Sequence, residues 1–67
     1  MAEIRLNGKT REVTPGVTIE GLLRELDLDA RWVIAELNGE PTSRDRFGAV
    51  TLLDGDRLEL VRAVAGG

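Results

Sequence analysis

Glu3-Ile4-Arg5-Leu6-Asn7-Gly8-Lys9-Thr10-Arg11-Glu12-Val13 decides the fold. From Glu3 to Asn7 polar and apolar side chains alternate with period two, the pattern of a half-buried strand. Asn7-Gly8 follows, the strongest short hairpin signal, because it suits a two-residue turn with positive φ at both positions. The return strand, Thr10 to Val13, stops at Thr14-Pro15-Gly16, where proline sets φ and glycine permits the turn. Residues 3 to 13 are therefore expected to form a hairpin.

Downstream the period changes. Ile19, Leu22, Leu23 and Leu26 recur at i, i+3, i+4 and i+7, with Thr18 placed to accept a backbone N–H as N-cap and Glu20 in the first turn, where the helix dipole favours an acid. Gly21 inside this helix costs about 1 kcal/mol relative to alanine, so packing has to hold the helix, and it needs a sheet to lie on. Trp32 to Leu37 reads as the next strand, with Val33, Ala35 and Leu37 on one face and Trp32, Ile34 and Glu36 on the other, ending at a second Asn-Gly turn, Asn38-Gly39. Pro41 reduces Glu40 to Ser43 to a short edge strand, and Arg44 to Phe47 is expected to make one helical turn with Phe47 tucked inward. Val50-Thr51-Leu52-Leu53 leads to the tight turn Asp54-Gly55-Asp56. Arg57 to Ala63 is the last strand, with Leu58 and Leu60 inward.

Composition narrows the function. Sixty-seven residues suffice for one domain, which at this size buries only about 60% of the surface its unfolded chain exposes, so a deep internal active site is not expected. The chain is 42% hydrophobic and 31% charged, and Trp32 and Phe47 are its aromatics, so the core must be aliphatic. Cys and His are absent. That removes disulfides, thiolate and imidazole metal sites, the cysteine nucleophile and the usual general base of a hydrolase. A net charge of −3, with nine basic and twelve acidic residues mixed along the chain, gives no footprint for nucleic acid or an anionic membrane. No basic, then apolar leader opens the sequence and no apolar run of membrane-spanning length occurs, so a cytoplasmic protein with protein partners is expected.

The sequence closes on Val64-Ala65-Gly66-Gly67. Without a Cβ, Gly66 and Gly67 can thread a slot too narrow for any side chain and bring the Gly67 carboxyl carbon against another protein's catalytic groups. The expected division is a folded domain over 1–63 and a flexible tail over 64–67. Extended at about 3.3 Å per residue, 63 to 67 span roughly 17 Å, enough to cross a partner's wall. By strand alternation Val61, Ala63 and Ile34 point away from the helix, so together with Arg62 they are expected to form the partner-facing surface.

Hairpin, helix, strand, edge segment and strand, with one amphipathic helix, is the layout of an α+β fold, the β-grasp or ubiquitin-like fold, in which a mixed four- to five-stranded sheet packs on one helix. That resemblance implies that the first and last strands lie parallel at the centre of the sheet. More specifically, the chain resembles the ThiS family of bacterial sulfur carriers over essentially its whole length. The pieces that carry the resemblance are Ile4-Arg5-Leu6-Asn7-Gly8, Thr18-Ile19-Glu20-Gly21-Leu22-Leu23, Leu37-Asn38-Gly39-Glu40, Asp54-Gly55-Asp56 and Leu60-Val61-Arg62-Ala63-Val64-Ala65-Gly66-Gly67. Two features depart from the family. Pro41-Thr42-Ser43-Arg44 replaces a branched apolar pair followed by Pro-Arg, and Phe47 stands where tryptophan is common; both lie on the edge segment.

The resemblance implies a carrier with no catalytic residues, metal or bound cofactor of its own. An E1-like, ThiF-type adenylyltransferase would use ATP to convert the Gly67 carboxylate to an acyl-adenylate. A cysteine desulfurase or other persulfide donor would then replace AMP with sulfur, giving a thiocarboxylate for a ThiG-type thiazole synthase of thiamin biosynthesis. Activation is chemically necessary, since a free α-carboxylate with a pKa near 3.5 is ionised and a poor electrophile. No Gly-Lys-Ser or Gly-Lys-Thr phosphate loop is present, so the ATP chemistry belongs to the partner. Three alternatives share these features: a molybdopterin-synthase sulfur subunit, a ubiquitin-like modifier with Lys9 as its one lysine, and a binding module with an inert tail. Asp54, Asp56 and Glu59 read as turn chemistry rather than a cation site, and Glu25, Asp27 and Asp29 as a solvated rim.

Overall fold

Two Asn-Gly turns set the register of the whole sheet. In the computed structural model, which describes residues 1–63, Asn7 and Gly8 have φ of 50° and 82°, and Asn38 and Gly39 have 52° and 86°. Both residues of each pair are left-handed, as a two-residue hairpin requires. The first turn joins β1 (Ala2–Leu6) to β2 (Lys9–Val13), and the second joins β3 (Val33–Leu37) to the edge strand β4 (Glu40–Thr42). The last strand, β5 (Arg57–Arg62), lies between the hairpins, so the five-stranded sheet has the order β2-β1-β5-β3-β4. β1 and β5 are parallel, with Leu6 opposite Leu58, while β3 and β5 are antiparallel. This is the expected β-grasp, with five strands.

One helix, α1 (Ile19–Glu25), covers the sheet. The N–H groups of its first turn are accounted for by tertiary contacts and by its N-cap. Ile19 N donates to Val50 O (3.1 Å), Glu20 N to Phe47 O (3.0 Å) and Leu22 N to Thr18 O (3.0 Å). The Thr18 hydroxyl accepts from Gly21 N at 3.0 Å. Gly21 is thus tolerated because the loop over 47–50 and the N-cap hold the first turn, which propensity alone would not. At the other end Leu28 N bonds to Leu23 O and Asp27 N to Arg24 O, a Schellman motif with Asp27 in the left-handed position at φ 58°.

The core lies between helix and sheet: Ile4, Ile19, Leu22, Leu23, Leu52 and Leu58 are fully buried, with Phe47 tucked among them. Leu60 and Leu37 pack against its margin. A 3-10 turn over Arg44–Arg46 places Phe47, as expected.

Several boundaries differ from the sequence reading by a residue, β1 beginning at Ala2 and β4 ending at Thr42 among them. Trp32 does not begin β3; it closes a 3-10 turn, Ala30–Trp32, capped by the Asp29 side chain accepting from Arg31 N at 2.9 Å. β2 begins at Lys9, immediately after the turn, and β5 ends at Arg62, one residue short of Ala63. Among the described residues no helix is long and apolar enough to cross a membrane.

Candidate functional site

The C-terminal end of β5 is the region that the sequence marks for function, and its geometry follows from hydrogen-bond parity. Asn38 N donates to Arg57 O (2.7 Å) and Ala63 N donates to Trp32 O (2.6 Å). Antiparallel ladders alternate, so residues 57, 59, 61 and 63 direct their backbone groups toward β3, while 58, 60 and 62 direct theirs toward β1. On the β1 side Asn7 N bonds to Leu58 O at 2.9 Å. The next position is served by a side chain: Asn7 Oδ1 accepts from Leu60 N at 2.8 Å and Asn7 Nδ2 donates to Leu60 O at 3.3 Å. The second turn mirrors this, since Asn38 Oδ1 accepts from Arg57 N (2.9 Å) and its Nδ2 donates to Asp56 Oδ1 (3.0 Å). Each Asn-Gly turn therefore clamps β5. The sequence reading took both asparagines as turn residues only; their partners, 53 residues on for Asn7 and 18 and 19 residues on for Asn38, have no local signal.

Side chains of β5 fall on two faces. Val61 lies opposite Ile34 on the open face of the sheet, and the two are 57% and 55% exposed. They form an apolar spot on a face that also carries Glu36 opposite Glu59 and Arg5 opposite Arg57. Arg62 lies opposite Val33, whose side chain is buried, so it belongs to the other face. There Arg62 and Ala63 border a groove of about 420 Å³ with Asp27, Leu28, Asp29, Trp32 and Val33. The structure thus brings Val61 and Ile34 together and separates Arg62 from them by the thickness of the sheet. Trp32, 45% exposed, belongs to this groove and not to the outer strand face to which the alternation assigned it. Val64, Ala65, Gly66 and Gly67 lie outside the described residues.

Charge in the groove is partly committed. Arg31 holds Asp29 through Nη2 to Oδ2 at 2.7 Å. Hydrogen bonds from the Arg31 side chain and backbone bring the Asp29 carboxyl down from 3.8 to about 2, and the Arg31 guanidinium is raised in turn. The carboxylates of the 54–56 turn are likewise occupied: Asp54 accepts from Glu3 N (2.8 Å) and Asp56 from Leu53 N (2.8 Å), which ties the turn to β1. Among the described residues no three Asp or Glu side chains gather in a way that could hold a metal ion. A second hollow, of about 560 Å³, lies between β4 and the Arg44–Arg46 turn, lined by Leu37, Pro41 and Val50 among others, away from the end of β5.

The model of the ThiS family matches residues 4–67. The chain belongs to the ThiS family. It is 37% identical over 65 residues to the sulfur carrier protein ThiS of Bacillus subtilis, covering 96% of this chain and 98% of that protein. It is also 39% identical over 62 residues to a thiazole synthase of Paramagnetospirillum magneticum, and 38% identical over 65 residues to one of Magnetococcus marinus. The match takes in 92% and 97% of this chain, which spans about a fifth of the length of those two relatives. A crystal structure of the thiamine biosynthesis protein ThiS from Geobacter metallireducens superposes with a TM-score of 0.83 at 35% identity, over 97% of this chain and 99% of that one. The ThiS family match runs through the Gly66-Gly67 pair and the solved structure shares the β-grasp.

Proposed function

We propose that this chain is a sulfur carrier of thiamin biosynthesis, its cargo held as a thiocarboxylate on Gly67. The observation that supports this most is the extent of the family match, which runs through Gly66 and Gly67, together with a relative of the same length named as a sulfur carrier. In this reading an E1-like, ThiF-type partner binds ATP. The Gly67 carboxylate oxygen attacks the α-phosphorus and pyrophosphate leaves, giving an acyl-adenylate. The terminal sulfur of a persulfide, supplied by a cysteine desulfurase or an equivalent donor, then displaces AMP at the carbonyl carbon to give an acyl disulfide. A second thiol cleaves its S–S bond, leaving the thiocarboxylate on Gly67 and a disulfide on the donor side. Thiazole synthase takes the sulfur and the carboxylate returns. We place this chemistry in the cytoplasm.

The chain's own part is positional. It supplies a narrow Val64-Ala65-Gly66-Gly67 segment behind a β5 clamped from both sides, and an apolar spot, Val61 with Ile34, for a partner to cover. The occurrence of a similar segment within longer thiazole synthases supports the choice of thiazole as the destination of the sulfur.

Intact mass spectrometry tests the reading. Incubation with ATP, the adenylyltransferase and a persulfide donor should replace one oxygen by sulfur at Gly67, and deletion of Gly66 and Gly67 should abolish the change. An unchanged mass with partners shown to be active would refute the carrier role.

A further inference from the structure

The ladder between β3 and β5 closes on half a pair. Its register runs on from Val33 opposite Arg62 to Trp32 opposite Ala63, a position at which an antiparallel ladder exchanges two backbone bonds. One of them forms, Ala63 N donating to Trp32 O at 2.6 Å. Trp32 N is committed elsewhere: it donates to Asp29 O at 2.9 Å, inside the 3-10 turn Ala30–Trp32. Val33 N likewise turns back to Ala30 O. The Asp29 side chain holds that turn twice over. Its Oδ1 accepts from Arg31 N at 2.9 Å, and Oδ2 accepts from Arg31 Nη2 at 2.7 Å, with Arg31 Nε 3.2 Å from each oxygen. Side-chain bonds of this local kind compete with strand pairing, and Trp32-Val33-Ile34 is a run that a strand would otherwise accept. The ladder therefore stops where Asp29 stops it.

We infer that Asp29 is a positioning residue for the reaction at Gly67: its capped turn fixes the Trp32 carbonyl, and through the bond to Ala63 N that carbonyl sets the point and direction from which residues 64–67 are presented. Asn38 and Asn7 hold β5 earlier, at Arg57 and Leu60, so neither governs its last residue. Ala63 N to Trp32 O is the final backbone bond of the chain among the described residues. Four further residues reach about 13 Å when extended, so a swing of about 5° at this bond moves the Gly67 carboxyl by about 1 Å. A misplacement of that size is enough to cost a reaction up to about a hundredfold in rate. Removing the Asp29 acceptor leaves Arg31 N–H without its partner, loosens the turn and releases the Trp32 carbonyl. The Asp29 side chain is half-exposed and lies outside the core, so its loss falls on this joint rather than on the packing of helix and sheet.

Positioning by Asp29 rests on the carrier reading of Gly67, and the two fail separately. The wild-type chain, Asp29→Ala and Asp29→Asn are compared as substrates of the ThiF-type adenylyltransferase by pyrophosphate release, at a temperature where each is folded. Asparagine keeps an oxygen that caps as well as that of aspartate, and alanine keeps none. Asp29→Ala should lower kcat at least about tenfold with KM within about twofold, because the tail is misdirected while the Val61 and Ile34 spot is untouched. Asp29→Asn should recover most of kcat. In amide exchange of the free proteins Ala63 N–H should be protected in the wild type and lose about fivefold of that protection in Asp29→Ala, the amount that one ordinary hydrogen bond corresponds to. If Asp29→Ala does not fold, the wild-type exchange decides. An Ala63 amide that exchanges freely in the wild type, an unchanged kcat for Asp29→Ala, a change in KM alone, or an Asp29→Asn as slow as Asp29→Ala would overturn positioning by the Asp29 cap and leave the carrier role intact. A wild type that is not adenylated by an active adenylyltransferase would overturn both.

Discussion

Replacing Asn7 tests the clamp directly. Asn7→Ala removes the two bonds to Leu60, at 2.8 and 3.3 Å, and leaves Leu60 N–H and C=O to water. Because the site is exposed, each bond is assigned the low end of its range, about 0.5 kcal/mol, or about 1 kcal/mol together. Alanine must also adopt the φ of 50° held by Asn7, which costs a residue with a Cβ about 1 kcal/mol more. The expected loss is about 2 kcal/mol, a fall in Tm of roughly 8–16 °C for a domain of this size. Asn7→Gly loses the same bonds but accepts positive φ, so it should retain about 1 kcal/mol that Asn7→Ala does not. Urea unfolding of the three proteins at neutral pH measures both differences. Asn7→Ala within 0.5 kcal/mol of wild type, or Asn7→Gly the less stable of the two, would refute the reasoning that the side chain clamps β5 from a left-handed turn.

Leu58→Ala, at a fully buried position on the central strand, should cost about 3 kcal/mol, against a total stability of about 3–10 kcal/mol for a chain of this length, and thermal unfolding would register it as a large drop or as loss of the folded state. Asp27→Gly should stabilise by about 0.5–1 kcal/mol by relieving the left-handed position of the Schellman motif; a destabilised variant would show instead that the Asp27 carboxylate contributes to the fold. Val61→Asp places a charge in the apolar spot opposite Ile34 and should slow adenylation by the partner about tenfold without altering Tm; unchanged adenylation would remove Val61 from the partner-facing surface. Asp29, at about 2 in the folded chain against 3.8 ordinarily, contributes stability in full above 3.8 and loses it as pH falls through 2. Asp29→Asn should therefore lose less stability than wild type between pH 4 and pH 2, and equal acid sensitivity would show that the Arg31 pair does not matter to folding.

Much of the fold was legible because its signals are local. Asn-Gly at 7–8 and 38–39, the 3.6-residue period from Ile19 to Leu26, and the inward Leu58 and Leu60 each report a backbone preference or a buried face within a few residues. Trp32 was misplaced for the same reason. Alternation extended one residue too far, because the capping bond from Arg31 N to the Asp29 side chain closes a 3-10 turn that competes with strand pairing there. Of the candidate site, the Gly66-Gly67 pair lies outside the described residues, and the surface was legible only in part. Val61 and Ile34 do meet, while Arg62 falls on the opposite face beside Trp32 and Asp27, a placement set by the register of β5 on β3.

The sequence by itself determined the two left-handed turns, the capped amphipathic helix, the aliphatic core and the absence of any cysteine or histidine chemistry, because these depend on residue type and short spacing. Only the tertiary structure decided that β5 lies between two hairpins, that Asn7 and Asn38 reach across to hold it, and that Arg62 falls on the face opposite Val61. Those are consequences of pairing between residues some 20 to 50 positions apart. Such pairing is selected by the closing of one shared core and leaves no periodic trace in the chain.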